Sequence, residues 1–210
     1  MSSTTATDPG VQISNLKQYY KLHALIYDAT RWAFLFGRQR ILEELPFDKD
    51  AEINILEVGC GTGRNLEDLA ARFPKAQLTG IDVSADMLEK ARKKLGDRAK
   101  LVEEPYQAGC AAGTGFDLIL FSYSLSMINP QWSEILDQAQ VDLKPGGLVA
   151  ACDFSDTASN LFRAHMGNNH VRMDGHLLPG LRERFTPVLD KEPPAYMGVW
   201  KYLLFLGRKA

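Results

Sequence analysis

Three glycines at alternate positions, Gly59, Gly61 and Gly63, separate an apolar segment from a segment with helical character. Glu57 stands just before this turn, and Asp82 closes the next apolar segment, QLTGIDVS. Glycines allow the backbone to turn tightly and to approach a ligand closely, and the N–H groups of a helix start then face that ligand. An acidic side chain at the end of the second strand can accept hydrogen bonds from both hydroxyls of a ribose. The spacing therefore predicts a strand, turn and helix that bind a small ribose-containing ligand.

The pattern differs from the dinucleotide fingerprint, because G-x-G-x-x-G beginning at Gly59 would need glycine where Arg64 stands. A nicotinamide-dependent oxidoreductase is therefore disfavoured. The order Glu-x-Gly-x-Gly-x-Gly instead resembles motif I of the class I S-adenosylmethionine (SAM) methyltransferases. GIDVSADMLEKAR resembles their acidic second motif, FDLILFSYSLSMI their fourth strand, and LKPGGLVAACDF their turn into strand five. Four motifs in the family's order extend the resemblance over most of the chain and imply SAM as the cofactor.

The resemblance implies which residues hold this cofactor: Glu57, Gly59, Gly61, Gly63, Asp82, Val83, Met87, Glu104 and Ser122. Glu57 would accept hydrogen bonds near the methionine amine; alternatively it is a buried carboxylate satisfied by N–H groups of the loop. Asp82 would hold the ribose diol. Val83 and Met87 would cover one face of the adenine, or they are ordinary core residues. A loop acid would lie near the adenine amino group.

That acid is Glu104 in our interpretation, with Glu103 as the neighbouring choice and a solvated acidic pair as the alternative. Ser122 and Tyr123 follow strand four and would lie beside the methyl group. Many relatives have histidine close to positions 126 and 127, whereas this chain has serine and methionine there. The easiest general-base candidate is therefore missing, which leaves water or a weak base such as tyrosine to take a proton.

The segment QYYKLHALIYDATRWAFLFGRQRIL is rich in aromatic residues and bears on the methyl acceptor. Aromatic faces attract alkylated ammonium groups with roughly 0.5–2 kcal/mol each, so Tyr19 and Tyr27 are candidates to line an amine pocket. Alternatively they pack on the sheet as parts of amphipathic helices, which we favour for Trp32. HALIYDATRWAFLFGR and VWKYLLFLGRK resemble the bacterial N-methyltransferases of betaine-lipid synthesis. This resemblance implies threefold methylation of diacylglyceryl-homoserine, with Tyr27, Tyr19 and Tyr123 as the predicted catalytic residues.

A lipid acceptor would suit a peripheral enzyme. Apolar residues 32–36 could dip into a membrane interface beside Arg31, Arg38 and Arg40, or they are buried. The same arginines could instead bind a carboxylate as bidentate partners. The histidines of the later insertion are further candidates for the proton acceptor, although we favour a surface or core position for each one taken singly: His165, His170 and His176.

Strands that alternate with helices predict an α/β fold with a doubly wound parallel sheet. Two predicted helices, about 14–29 and 31–45, precede strands at about 53–58, 77–82, 99–103, 116–122 and 147–153. Two further strands end the chain as an antiparallel pair. In the methyltransferase family such a pair completes seven strands with the last one reversed. We predict a disordered tail at 1–13 and one SAM-binding domain at 14–210. That domain would include a helical lid at 14–46 and a substrate-side insertion at 155–182.

Composition excludes several other classes. The net charge of −2 gives no drive towards nucleic acid. An odd number of cysteines (60, 110 and 152) without C-x-x-C favours reduced thiols and predicts no metal site. We expect a cytoplasmic protein with possible peripheral contact at the inner membrane surface. A soluble amine, a quinone precursor as acceptor, and a non-catalytic SAM-fold subunit remain alternatives, and the oligomeric state is open.

Overall fold

The computed structural model describes residues 35–168 and 170–210. Its centre is a mostly parallel sheet. The strands are β1 (Asn54–Val58), β2 (Gln77–Asp82), β3 (Ala99–Glu103), β4 (Phe116–Ser122), β5 (Leu143–Phe154), β6 (Thr186–Lys191), β7 (Pro194–Ala195) and β8 (Trp200–Arg208). The helices are α1 (Arg38–Glu43), α2 (Arg64–Arg72), α3 (Ala85–Leu95), α4 (Trp132–Asp142), α5 (Asn160–Asn168) and α6 (Leu177–Arg184).

Seven strands lie in the order β3-β2-β1-β4-β5-β8-β6, and the two-residue β7 pairs with the start of β8. Strands β1 to β5 are mutually parallel, whereas β8 is antiparallel to both β5 and β6. The doubly wound seven-stranded sheet with a reversed last strand is therefore confirmed. The chain reverses its direction of winding between β1 and β4, and ligands of such sheets bind at that point beyond the carboxyl ends.

Both faces of the sheet are covered, which explains the almost continuous apolar character of the central strands. Alternate residues of β1 enter different cores, Ile55 on one face and Leu56 on the other. Helices α2 and α3 contribute Leu66 and Leu88 to the first core, and α4 and α6 contribute residues such as Leu136 to the second. The cores hold the strand ends in fixed positions, so the loops above them start from a rigid base.

Two sequence-based boundaries are wrong. A helix running from 31 to 45 is excluded over residues 35–37, which are non-helical, and α1 begins only at Arg38. Gly37 has a left-handed φ of 81°, and a Cβ there would lie 2.5 Å from the Tyr202 ring. Strand β5 begins at Leu143 instead of 147. Leu143 pairs with Phe116 of β4, and regular pairing resumes at Leu148 after a register shift. The strands predicted at about 53–58, 77–82, 99–103 and 116–122 agree with β1 to β4 to within one residue, whereas the last strand begins only at Trp200.

The predicted insertion at 155–182 contains α5 and most of α6. It returns to the sheet through a bridge between Asp156 and Asp174. In the described residues, no helix is long and apolar enough to cross a membrane. The proposed tail, and most of the proposed lid, lie outside the described residues.

Candidate active site

The glycine turn has the backbone that the sequence pattern requires. Gly59, Gly61 and Gly63 have φ values of 71°, 53° and 74°, a region that other residues enter at a cost. A Cβ on Gly59 would lie 2.7 Å from the Cβ of Ser124, so the turn also needs glycine for space. The N–H of Gly59 donates to Ile81 O at 2.8 Å, which fastens the turn to β2. The turn after β1 therefore contacts both neighbouring strand ends.

Asp82 ends β2 directly beside this turn. Its Oδ2 accepts a hydrogen bond from the Gly61 N–H at 2.8 Å, and its Oδ1 accepts one from the Ser84 N–H at 2.9 Å. A carboxylate oxygen can accept more than one hydrogen bond, so an acid at this position is of the type that can bind hydroxyl groups. The side chain of Ser84 caps α3 by accepting from the Met87 N–H. Asp82 is thus held in position by backbone groups on either side of it.

Glu57 is 2 % exposed and sits under the same turn. Asn65 donates from Nδ2 to Glu57 Oε1 at 2.6 Å, and Arg38 donates from Nη2 to Asn65 Oδ1 at 2.7 Å. This chain of side chains joins the carboxylate after β1 to the first helix of the described part. The predicted Glu57 is therefore bound by Asn65, which the sequence analysis did not single out, and through it is linked to Arg38, which was considered there for a different role.

The adenine-side candidates occupy different environments. Val83 is half-buried and Met87 is buried, so Met87 packs as a core residue in this structure. Glu103 ends β3 opposite Asp82 and is exposed, whereas Glu104 is half-buried and accepts a hydrogen bond from the Ala111 N–H. Glu104 is thus hydrogen-bonded within its own loop. Which of Glu103 and Glu104 lies near the adenine amino group stays a prediction.

The end of β4 carries the residues predicted to lie near the methyl group. Ser122 is buried, and Tyr123, also buried, has a left-handed φ of 56°. The hydroxyl of Tyr123 donates to Phe36 O at 2.8 Å, and the Cys152 thiol donates to the same oxygen at 3.1 Å. Burial, the largest cause, raises the pKa of Tyr123 well above its ordinary value. Tyr123 therefore acts here as an anchor for residue 36, and a tyrosinate at this position would be strongly disfavoured.

Ser124 was missed by the sequence analysis. It is 7 % exposed and packs against Gly59, and within the described ranges its Oγ has no hydrogen-bond partner. Its backbone belongs to the turn after β4, which Asp153 holds by accepting from the Ser126 N–H at 3.1 Å. Burial raises the pKa of Asp153 to about 6, against hydrogen bonds that lower it. The only sequence signal for Ser124 was a polar residue two positions beyond a predicted strand.

The histidines of the insertion lie elsewhere. His165 and His170 are exposed on and after α5. His176 packs its ring on Trp132 with centroids 5.0 Å apart and bonds through Nδ1 to Asp174, in the layer of α4 and α6. Burial lowers the pKa of His176, which Asp174 partly opposes. Tyr19 and Tyr27 lie outside the described residues. Among those residues, no group of three or more His, Cys, Asp or Glu could hold a metal ion.

A ligand that carries a nucleoside explains the features of this site better than a purely structural role of the turn does. A bulky residue at position 59 is excluded by Ser124, the carboxylate of Asp82 lies beside the turn, and the buried Ser124 hydroxyl lacks a partner in the described part. A buried polar atom without a partner costs about 1–3 kcal/mol, so a ligand atom beside Ser124 would recover stability. The burial of Cys60 raises its thiol pKa, so the cysteine in the turn stays protonated.

The sheet order, the turn after β1 and the acid after β2 together define the class I methyltransferase fold. Residues 55–147 match the family model described as "Methyltransferase domain". Residues 55–147 are therefore similar to a methyltransferase domain, of the class that uses SAM.

Curated relatives carry the same core. The chain is 39 % identical over 106 residues to a malonyl-[acyl-carrier protein] O-methyltransferase of Legionella pneumophila, covering 47 % of this chain and 37 % of that protein. It is 37 % identical over 111 residues to a trans-aconitate 2-methyltransferase of Paracidovorax citrulli, covering 52 % and 41 %. The chain thus spans less than half the length of these two relatives.

Solved structures extend the likeness in fold beyond the family match. An N1-methyltransferase of 1,6-didemethyltoxoflavin from Burkholderia thailandensis, solved with S-adenosylhomocysteine, superposes with a TM-score of 0.72 at 19 % identity, covering 100 % of this chain and 93 % of that one. The N-methyltransferase NodS from Bradyrhizobium japonicum gives 0.63 at 23 % identity, covering 82 % and 85 %. At these identities the comparison shows the fold alone.

Proposed function

We propose that this chain transfers a methyl group from SAM to an acceptor held above the carboxyl ends of β4 and β5. The observation that carries the proposal is the left-handed glycine turn packed on Ser124, with Asp82 fixed beside it by two backbone N–H groups. Asp82 would bind the ribose diol, the turn would make room for the methionine end, and Glu57 would accept from the amine. The family match over residues 55–147 supports the same assignment.

SAM supplies a methyl group on a positively charged sulfur, and the acceptor must present a lone pair in line with it. Alignment of the reacting atoms is the larger part of the catalytic effect for such a step. The rigid strand ends serve this purpose, because β1 and β4 are both buried between two cores. An amine acceptor must arrive neutral, and its proton can leave to water. The engaged hydroxyl of Tyr123 would then orient the Phe36 segment, while Tyr19 and Tyr27 remain predicted residues of the acceptor pocket.

For the acceptor we propose the amine of diacylglyceryl-homoserine, methylated to the trimethylated betaine lipid. The support is the resemblance in residues 23–38 and 199–209. Where these segments are described, they pack together although they lie far apart in sequence. The Phe36 ring lies 5.7 Å from Trp200 and 6.0 Å from Tyr202 between centroids. Phe36 and Gly37 are thus seated on the last strand, beside the end of β5.

A lipid acceptor also accounts for a concentration of exposed apolar side chains. Four of the seven large apolar residues exposed in the described part lie near this edge: Phe36, Tyr196, Met197 and Val199. Phe36 and Tyr196 are in ring contact at 5.2 Å. Thr157, just before α5, donates to Val199 O at 2.7 Å, which brings the helix start to the same region. An interfacial surface of this kind would let a peripheral enzyme take its substrate from a bilayer.

A second candidate is O-methylation of a carboxylate, and the names of the curated relatives favour it. The same site would serve, because a carboxylate needs no deprotonation at neutral pH. A soluble amine is the nearest alternative within N-methylation. A non-catalytic subunit with this fold would bind neither cofactor nor product.

The test is incubation of the full chain with SAM labelled in its methyl group and with each acceptor separately. The acceptors are vesicles of diacylglyceryl-homoserine, malonyl-acyl carrier protein and trans-aconitate, with calorimetry of S-adenosylhomocysteine binding as the control. The expected result is label that stays on the glyceryl-homoserine headgroup after alkaline hydrolysis of the acyl chains, as one to three added methyl groups. Label in an alkali-labile methyl ester would instead support the second candidate, O-methylation of a carboxylate. Absence of S-adenosylhomocysteine binding would overturn the methyltransferase assignment itself.

A further inference from the structure

A cleft of about 790 Å³ opens between α1, the first turn of α2, the end of α3 and the start of β8. Its charged lining residues are Arg38, Arg40, Arg64, Lys94, Glu43 and Asp68. Four cations against two anions give the cleft a local charge of +2, whereas the whole chain carries −2. A concave positive surface on an otherwise acidic protein attracts anions selectively.

Arg40, Arg64 and Lys94 have spare binding capacity. The Arg40 side chain makes no hydrogen bond or ion pair with any residue of 35–168 or 170–210. Arg64 approaches Asp68 only at 3.7 Å, and Lys94 approaches Glu67 at 4.0 Å. These pairs are exposed, so they contribute little and can exchange for a better partner. A guanidinium binds a carboxylate or phosphate through two parallel hydrogen bonds, which neither arginine has here.

The cleft also joins the two regions that the proposed reaction uses. Arg38, on its wall, is linked through Asn65 to Glu57 by hydrogen bonds of 2.7 and 2.6 Å. Leu35 and Tyr202 line its other end, and Tyr202 packs against Phe36 in the apolar region described above. A ligand with an acidic group and an apolar portion would therefore find a complementary surface for each.

We propose that this cleft binds the carboxylate or phosphate group of an amphiphilic acceptor, with Arg40 and Lys94 as its anion-binding side chains. The inference rests on the proposed function and adds the charge of the substrate to it. It differs from cofactor binding, because neither Arg40 nor Lys94 belongs to the turn or to the ends of β1, β2 and β4. The binding energy of this remote group would hold the acceptor while its reacting atom is aligned.

The experiment uses the full chain saturated with S-adenosylhomocysteine and titrates inorganic phosphate, then malonate, by calorimetry. The variants are Arg40→Gln and Lys94→Gln, and the matched control is Lys75→Gln, an exposed lysine outside the cleft. We expect each variant to weaken anion binding at least threefold, the control to bind like wild type, and S-adenosylhomocysteine affinity to stay within twofold throughout. Equal anion binding by variants, control and wild type would overturn the site.

A parallel loss of S-adenosylhomocysteine affinity in both variants would also overturn it, because the cleft would then serve the cofactor. Vesicles of phosphatidylcholine with and without phosphatidylglycerol separate the two sources of the anion. Loss of binding to the anionic vesicles in both variants would place the group on a bilayer lipid, while effects on malonate and phosphate alone would indicate a free acid. If the wild type bound these anions but not S-adenosylhomocysteine, the proposed function would fail and the anion site would stand.

Discussion

At the scale of single residues, backbone conformation and available space make separate demands on the glycine turn. Gly59 and Gly109 both have left-handed φ values, 71° and 75°. Only Gly59 has a neighbour that a Cβ would strike, because nothing lies within 4 Å of a Cβ built on Gly109. The two positions therefore separate the cost of an unusual backbone from the cost of filling the turn.

We predict that Gly59→Ala abolishes S-adenosylhomocysteine binding and destabilises the fold more than Gly109→Ala does. Both variants incur the left-handed cost of roughly 1–2 kcal/mol, but only the first must displace Ser124 from the turn. Urea unfolding gives the stability difference, and calorimetry on the folded variants gives the affinity. Wild-type affinity in a folded Gly59→Ala variant would show that the turn is not the cofactor site.

The predicted binding of ribose by Asp82 gives a second test at this scale. Asp82→Ala should weaken S-adenosylhomocysteine binding by about 1–3 kcal/mol, because the hydroxyl groups of the ribose lose their acceptor. Asp86→Ala is the control, an exposed aspartate on the first turn of the adjacent helix. Titration calorimetry compares the three proteins. Equal affinities for Asp82→Ala and the control would remove the ribose assignment.

At the scale of elements, the turn after β4 depends on a carboxylate of the neighbouring strand. Asp153 is the penultimate residue of β5, is fully buried, and accepts hydrogen bonds from the backbone N–H groups of Ser126 and Phe154. The turn in question carries Ser124 against the glycine turn. One buried acid thus fixes the relative position of two loops that belong to different βα units.

We predict that Asp153 contributes less to the stability of the fold as the pH rises. The pKa of Asp153 is raised to about 6 in the fold, above the ordinary 3.8, so the folded state binds the proton more tightly than the unfolded chain. The contribution of Asp153 to the free energy of unfolding should therefore fall as pH rises from about 4 to about 6, by roughly 3 kcal/mol. Urea unfolding of wild type and Asp153→Asn at pH 4.5 and 7 isolates the contribution of Asp153 to the free energy of unfolding. The stability difference should move in favour of wild type at the lower pH, and a constant difference would contradict the prediction.

At the scale of the whole molecule, the exposed apolar residues gather near one edge of the sheet. Tyr196 and Met197 hold left-handed φ values of 46° and 56°, and Met197 is fully exposed. Neither conformation is favourable for these residues, and strain of this kind is often retained where a surface binds something. The turn before β8 is therefore the part of this surface that can be tested with the least effect on the core.

Met197→Ser should weaken binding to phosphatidylcholine vesicles by about 1.5 kcal/mol, roughly tenfold, the lower limit for burying such a side chain. Val141→Ser is the matched control, since Val141 is also apolar and exposed but lies on α4. Flotation on a density gradient measures both. If the two substitutions had the same effect, the apolar edge would not be the membrane-binding surface.

Local pattern alone determined much of this protein. The alternation of apolar strands with helices, and the glycines at 59, 61 and 63, predicted the sheet and the cofactor turn, because period and φ are properties of short segments. Asp82 was predicted because a motif fixes its distance from the turn along the chain.

Other features were decided only by tertiary structure, because they join residues that are distant in sequence. Ser124 meets Gly59 across β1 and β4, and Asn65 binds Glu57 and also Arg38, which lies 27 positions before it. Gly37 interrupts a helix that its own sequence favours, because its backbone lies against the Tyr202 ring of the last strand. The hydroxyl of Tyr123, a candidate for chemistry by sequence, is bound instead to the backbone of Phe36. A short segment specifies its own conformation, whereas the partners of its side chains are set by how strands from different parts of the chain are ordered in the sheet.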